Sequence, residues 1–323
     1  MQRNLSANEQ AMPRSPSTSI LTSKPEAKSF LRTALAWHGS ATPRVLPRIL
    51  AAAAYSAIIV LLVREYPALS TEITPFEFCG AALGVLLVVR LNSGLDRWWE
   101  ARKIWGSIVN QSRNLAVIGT GYADADCAAA DELLKWTAAW PHVMRESLRE
   151  ETTLHDVEPI LGLPETAQIR AAQHMPTYVA TRIIKILREL RTLGLDDFAF
   201  QRAERERALL IDAIGACERI RSTPIPLAVA INTRRLILLF LALLPLGLVD
   251  RLGWLTPFVM AAASYPLFSL DEIGVALQNP FLVGNLSHLP LMPICQNIQA
   301  NVLSLRNVAV VNMATNDFQP NLH

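Results

Sequence analysis

Apolar positions along the chain gather into four long blocks, and nearly all charge falls between them. Residues 45–63 carry one charge, Arg48, and residues 76–89 carry only Glu77. Residues 236–249 and 252–270 carry none. A membrane-crossing helix needs about 20 predominantly apolar residues, so the first and fourth blocks are long enough as they stand. The second and third are shorter and fit buried helices of a soluble protein as well. Trp98, Trp99 and Trp105 follow the second block, and Tyr66 and Trp254 lie near other block ends, as interfacial aromatic belts do. The pattern predicts four membrane spans arranged as two hairpins.

Between the hairpins the spacing is helical too. Residues 131–151, 176–195 and 201–220 place apolar side chains three and four apart, the last with charges on the opposite face. Breakers fall at Gly162-Leu163-Pro164, Met175-Pro176 and Ser222-Thr223-Pro224. Strand-like alternation, a GxGxxG turn and a P-loop are all missing from the sequence. The fold class expected is an all-α membrane protein, with four transmembrane helices plus a cytoplasmic helical region. Its divisions are a polar tail (1–28), a first hairpin (29–100), a helical region (101–225), a second hairpin (226–277) and a C-terminal segment (278–323).

Composition sharpens this picture. Of 323 residues, 51% are hydrophobic and only 18% charged, with a mean hydropathy of +0.25; soluble domains are about a quarter charged. The net charge of +2 excludes a strongly basic nucleic-acid binder and an acidic disordered chain. Four cysteines with no CxxC pair suggest neither a zinc site nor a disulfide framework. Basic residues also sort by side. Arg44 and Arg48 open the first block, Arg90, Arg97, Arg102 and Lys103 follow the second, and Arg234 and Arg235 precede the third. The two hairpin connections hold only Arg64 and Arg251. Under the positive-inside rule both termini and the middle region of this multi-pass protein are cytoplasmic. Residues 1–28 are polar, show no secretory signal and are expected to be disordered.

The most informative run is residues 80–106, GAALGVLLVVRLNSGLDRWWEARKIWG. One helix can continue from its apolar half into its charged half. On that helix Glu77, Ala81, Val85 and Val89 recur every fourth residue and share a face. The segment 90–106 resembles the bestrophin family, including its bacterial members. Trp37-His38-Gly39-Ser40, Gly215-Ala-Cys-Glu-Arg219 with Thr223-Pro-Ile-Pro226, and Asp271, Asn279-Pro280-Phe281 and Leu289-Pro290-Leu291 resemble that family's motifs in the same order. The likeness covers residues from about 29 to about 306.

The resemblance implies a homopentameric ion channel in a lipid bilayer, that of a bacterial inner membrane, passing small monovalent ions through one pore on the five-fold axis. It implies a hydrophobic neck at Ala81, Val85 and Val89 and, less directly, a cytoplasmic aperture at Phe198. Bestrophin necks usually carry bulkier residues, so this one is expected to be wider or more easily wetted, with Phe198 the tighter restriction. Ala and Val at helical spacing also serve close helix packing, the plain alternative. Glu77 lies one turn outside Ala81. Five such carboxylates around an axis favour cations, although a helix-start role after Pro75 is an equal alternative. The reading favoured is a cation-preferring channel; the others are an anion (chloride) channel of the same family and a non-conducting membrane-anchored scaffold.

Animal bestrophins hold calcium in an acidic cluster after the Pro-Phe motif. Residues 279–290 contain no carboxylate here, so no calcium clasp, no metal and no cofactor are expected. Trp98, Trp99, Glu100 and Arg102 are expected to anchor the helix at the interface and pair between subunits. His38 suits a turn beside Gly39 better than a pH sensor. His142, His155 and His174 lack metal-ligand spacing, and Asp124, Asp126, Asp196 and Asp197 form only local pairs. No catalytic constellation is found, and no enzyme is expected.

Overall fold

The structure is a computed structural model that describes residues 30–37, 39–122, 127–284 and 286–316. The expectations for the 1–28 tail, His38, Asp124 and Asp126 fall outside those residues. Every regular element among the described residues is helical. A short helix, α1 (Phe30–Ala34), belongs to a separate N-terminal unit. From Trp37 onward the chain forms α2 (Thr42–Glu65), α3 (Thr74–Gly121), α4 (Ala128–Arg149), α5 (Glu158–Leu161), α6 (Leu163–Ala171) and α7 (Met175–Thr192). There follow α8 (Asp197–Ser222), α9 (Leu227–Leu252), α10 (Thr256–Ala276) and α11 (Leu291–Asn316).

Three helical stretches are long and apolar enough to cross a membrane: Thr42–Glu65, Thr74–Gly121, and the helical run Asp197–Ala276 that contains α9 and α10. The apolar blocks that were short in sequence are explained by their continuation. Residues 76–89 are the first part of a 48-residue helix, and residues 236–249 are the middle of a 26-residue one. Pro75 sits at the start of α3, where its fixed φ suits a helix and its missing N–H removes no bond. The next proline is Pro141, so nothing interrupts the helix before Gly121. At 1.5 Å per residue α3 is about 72 Å long, more than twice the roughly 30 Å hydrocarbon core of a bilayer. Its second half must therefore project well beyond any membrane its first half crosses. The division at residue 100 falls inside this helix.

Two cores follow from this geometry. The apolar half of α3 buries Leu83 and Leu87 with Ile237, Leu241 and Leu244 of α9 and Met260 of α10. The projecting half packs with α4, α7, α8 and α11 around Trp105, Trp136, Trp140, Ile183 and Ile298. Trp105 is fully buried there, so it belongs to this core and not to an interfacial belt. The helices expected at 131–151, 176–195 and 201–220 are α4, α7 and α8, which start at Ala128, Met175 and Asp197; His174 and Asp196 cap the last two. α9 turns into α10 at Gly253, whose φ of +51° lies in the left-handed region that glycine tolerates.

Candidate functional site

The membrane half of α3 is buried on one side only. Leu83, Leu87, Arg90 and Gly94 face the chain's own helices. A Cβ at Gly94 would meet Leu277 Cβ at 3.0 Å and the Gly274 carbonyl oxygen at 3.4 Å, so glycine lets α3 and α10 cross closely there. Glu77, Ala81, Val85 and Val89 lie away from this contact and are all exposed in the single chain, Val85 at 64% and Val89 at 58%. The fourfold spacing is thus one continuous surface that no other described part of the chain covers. Its three lower residues are apolar and its upper one is a carboxylate.

A layer of arginines lies immediately below Val89. Arg90 of α3 and Arg234 of α9 both grip Asp271 of α10; Arg90 and Asp271 are buried, and Arg234 Nε reaches Asp271 at 3.1 Å. Glu272 next to it is shared by Arg44 and Arg48 of α2, at 3.4 and 3.3 Å. All four membrane-side helices are tied together at this level by one acidic pair. Two turns further on, Arg97 has no carboxylate partner. It donates to the carbonyl oxygens of Thr223 (2.7 Å), Ile220 and Gln278 (3.3 Å), at the ends of α8 and α10. Arg97 therefore joins α3 to the last turn of α8 and to the end of α10.

Phe198 is at the other end of α8. Asp196 caps this end by accepting from the Phe198 and Ala199 amides at 2.9 and 3.2 Å, and the Phe198 ring is 78% exposed. α8 is clamped at its last turn to Arg97, and Arg219 pairs with Glu100 at 3.4 Å. From Ile220 back to Phe198 is about 33 Å along a helix, so Phe198 lies far from the arginine layer. Within the chain Glu100 has Arg219 as its ion-pair partner. Trp98 Nε1 donates to the Ser287 carbonyl at 2.7 Å, and its ring stacks on Trp99.

The loop after Asn279-Pro280-Phe281 is held by protein donors. The carbonyl oxygens of Phe281, Gly284 and Ser287 accept from Arg149 (3.4 Å), Arg44 (2.6 Å) and Trp98. Among the described residues no three His, Cys, Asp or Glu side chains converge as a metal site. His174 caps α7 and pairs with Glu218 at 2.8 Å. Sequence reasoning missed the Arg90–Asp271–Arg234 group and the Arg97 clamp. For the first group the available signal was charge abutting the apolar blocks, Arg90 after the second, Arg234-Arg235 before the third and Asp271-Glu272 after the fourth.

His142 is buried between α4 and α11, with Nε2 2.9 Å from Gln299 Oε1 and Nδ1 without a partner. Since Gln299 Oε1 only accepts, Nε2 carries the proton and Nδ1 is bare. Burial lowers the pKa of His142 from 6.5 and Arg145 adds to this, against opposing pulls from Asp156, Gln299 and Glu146. An unfolded chain protonates first as pH falls, so the stability that neutral His142 supplies is full above about pH 6.5 and declines below it. Thermal midpoints measured at about pH 7.5 and about pH 5.5 are expected to fall less in His142→Gln than in the wild type. Equal falls would contradict the assignment.

The comparisons with known proteins agree with one another. Residues 19–304 match the family model described as Bacterial/Fungal Bestrophin protein. A voltage-dependent anion channel-forming protein of Nostoc sp. is 31% identical over 287 residues, covering 87% of this chain and 93% of the relative. One from Mesorhizobium japonicum is 35% identical over 256 residues, covering 78% and 82%. A crystal structure of a bacterial bestrophin homologue from Klebsiella pneumoniae superposes with a TM-score of 0.75 at 26% identity, covering 81% of this chain and 98% of that one.

Proposed function

The chain belongs to the bacterial and fungal bestrophin family, and from that premise we propose that it is an ion channel, a homopentamer passing small monovalent ions along its five-fold axis. The observation that carries this reading is the uncovered face of α3. Glu77, Ala81, Val85 and Val89 form an unbroken exposed stripe on a helix whose opposite side is packed. Five-fold repetition turns each of these residues into a ring. Apolar rings offer nothing to replace an ion's hydration shell, and so a narrow one can gate by dewetting. Ala81, Val85 and Val89 are small, which makes Phe198, at the far end of α8, the tighter restriction in this account.

Both termini are assigned to the cytoplasm. Support comes from Arg44, Arg48, Arg90, Arg234 and Arg235 at one end of the membrane helices, against Arg64 and Arg251 at the other, where Glu65, Glu72 and Asp250 also lie. Calcium has no place in the proposed gating, because residues 279–290 hold no carboxylate and three of their carbonyls are already taken by Arg44, Trp98 and Arg149.

On the sign of the ion, the printed names of the relatives lean against the cation preference expected from Glu77. Anion conduction is therefore the first reading, and cation conduction the second, favoured by the exposed Glu77 on the stripe. Purified protein in liposomes, recorded in asymmetric salt, decides between them. The first reading expects a reversal potential near that of chloride, and a larger chloride conductance in Glu77→Gln once five carboxylates are removed. Reversal near the cation potential in the wild type, lost in Glu77→Gln, would establish the second. No ion flux from a well-folded preparation would leave a helical scaffold and defeat both.

A further inference from the structure

A second feature of the membrane-side helices is an open crevice of about 360 Å³ between α2 and α9, floored by Phe268 of α10. It is lined by Ala51, Ala52, Tyr55, Leu238 and Ala242, and at one end by Arg48. It lies on the side of α9 away from α3, since a different face of α9 (Leu236, Leu239, Phe240, Leu243) meets Phe76, Cys79 and Leu86 of α3. The stripe of α3 and this crevice are therefore on different sides of the bundle.

The register of the two helices is set by one hydrogen bond: the Tyr55 hydroxyl donates to the Ala242 carbonyl at 3.0 Å. Seven residues before Tyr55 is Arg48, and seven before Ala242 is Arg235. Two helical turns return nearly to the same face, so Arg48, Ala52 and Tyr55 line one wall, and Arg235, Leu238 and Ala242 the other. Both walls end in an arginine about 10 Å from the Tyr55 bond. Among the described residues Arg48 reaches one carboxylate, Glu272, which it shares with Arg44, and Arg235 is exposed and makes no ion pair. Across the whole layer, Arg44, Arg48, Arg90, Arg234 and Arg235 face only Asp271 and Glu272. The charge at this end is positive and incompletely neutralised.

We propose that this crevice is a binding site for an anionic phospholipid, its acyl chain against Ala52, Leu238 and Phe268 and its phosphate between Arg48 and Arg235. An apolar slot in the hydrocarbon region, closed at the headgroup level by two cations, has the chemistry of that ligand and not of a soluble anion, which the apolar walls would exclude. The lipid belongs to the arginine-side leaflet, the cytoplasmic one under the sidedness given above. There it fastens α2, in the first hairpin, to α9 and α10, in the second.

Lipid retention, independent of ion conduction, tests the site, so failure here is separable from failure of the channel reading. Protein purified in detergent is stripped of lipid and titrated with phosphatidylglycerol or phosphatidylcholine of identical acyl chains, with bound lipid read by native mass spectrometry and folding by thermal midpoint. Each arginine near a membrane surface strengthens anionic-lipid binding by about fivefold. The wild type is expected to prefer phosphatidylglycerol by roughly 25-fold, and Arg235→Gln, which breaks no ion pair, by roughly fivefold. Arg48→Gln/Arg235→Gln is expected to show no preference. Ala52→Trp, which fills the slot, is expected to lose both lipids while the assembly keeps its size. Equal binding of the two lipids by the wild type, or a preference that survives both arginine substitutions, would overturn the proposal. So would Ala52→Trp splitting the assembly with lipid preference intact, since a second copy of the chain would then cover the crevice.

Discussion

Asp271→Asn is expected to lower the stability of the folded chain by about 3–5 kcal/mol, the usual effect of breaking a buried ion pair by removing one partner. Among the described residues Asp271 is the only carboxylate that Arg90 and Arg234 reach, and Arg90 is buried with one guanidinium nitrogen, Nη2, already lacking a partner. Without the carboxylate, a buried cation stays at the level where α3, α9 and α10 meet. Against a typical domain stability of about 5–15 kcal/mol, that is enough to remove much of the folded protein. The double variant Arg90→Met/Asp271→Leu is expected to recover most of the loss, because apolar groups of similar volume replace a buried pair at little net penalty. Yield after detergent extraction and the thermal midpoint report both outcomes. A midpoint for Asp271→Asn within a degree or two or so of wild type would show that the pair does not hold the helices together.

Arg97→Met is expected to produce the second large effect. Its guanidinium is the donor to three carbonyls on two other elements. Each hydrogen bond from a charged group contributes about 1.5–3 kcal/mol, so losing the set is expected to lower stability by about 3 kcal/mol or more. Lysine is not expected to rescue it, since a single ammonium cannot span three carbonyls that a planar fork reaches together. The consequence extends to function in this account, because the clamp fixes α8 against α3 and α8 carries Phe198 at its opposite end. Arg97→Lys protein that remains folded is therefore expected to conduct with altered amplitude or more sub-states in single-channel recordings. Unchanged unitary currents together with an unchanged midpoint would mean that the clamp is incidental.

How much of this was legible in sequence divides by range. The apolar blocks and their flanking arginines gave the membrane helices, because a span is a local property of about 20 residues. Fourfold spacing also sufficed to place Glu77, Ala81, Val85 and Val89 on one face of α3, and nothing else among the described residues covers them. The Arg90–Asp271 pair joins residues 181 apart, and Arg97 reaches Thr223 across 126. No local period carries such information. Trp105 was misplaced for a related reason: tryptophan just after an apolar block suits an interface, but α3 runs on, and the helices that return from 128–222 bury it. The Arg219–Glu100 pair, 119 residues apart, is of the same long-range kind. The crevice between α2 and α9 needed the register set by Tyr55, which no sequence pattern announces.

The central claim is that the exposed face of α3 lines the ion path. Cysteine accessibility tests it most directly. Cys217 and Cys295 are buried with their thiols pushed up to about 12, so they do not compete for a thiol reagent. Exposed Cys79 and half-buried Cys127 are replaced by serine first. In that background, a charged methanethiosulfonate is applied to Val85→Cys and, as a control on the packed face, Leu87→Cys, while macroscopic current is recorded. The account predicts that modification changes the current through Val85→Cys at once and leaves Leu87→Cys untouched. A Val85→Cys current that persists unaltered after labelling is verified by mass would contradict it.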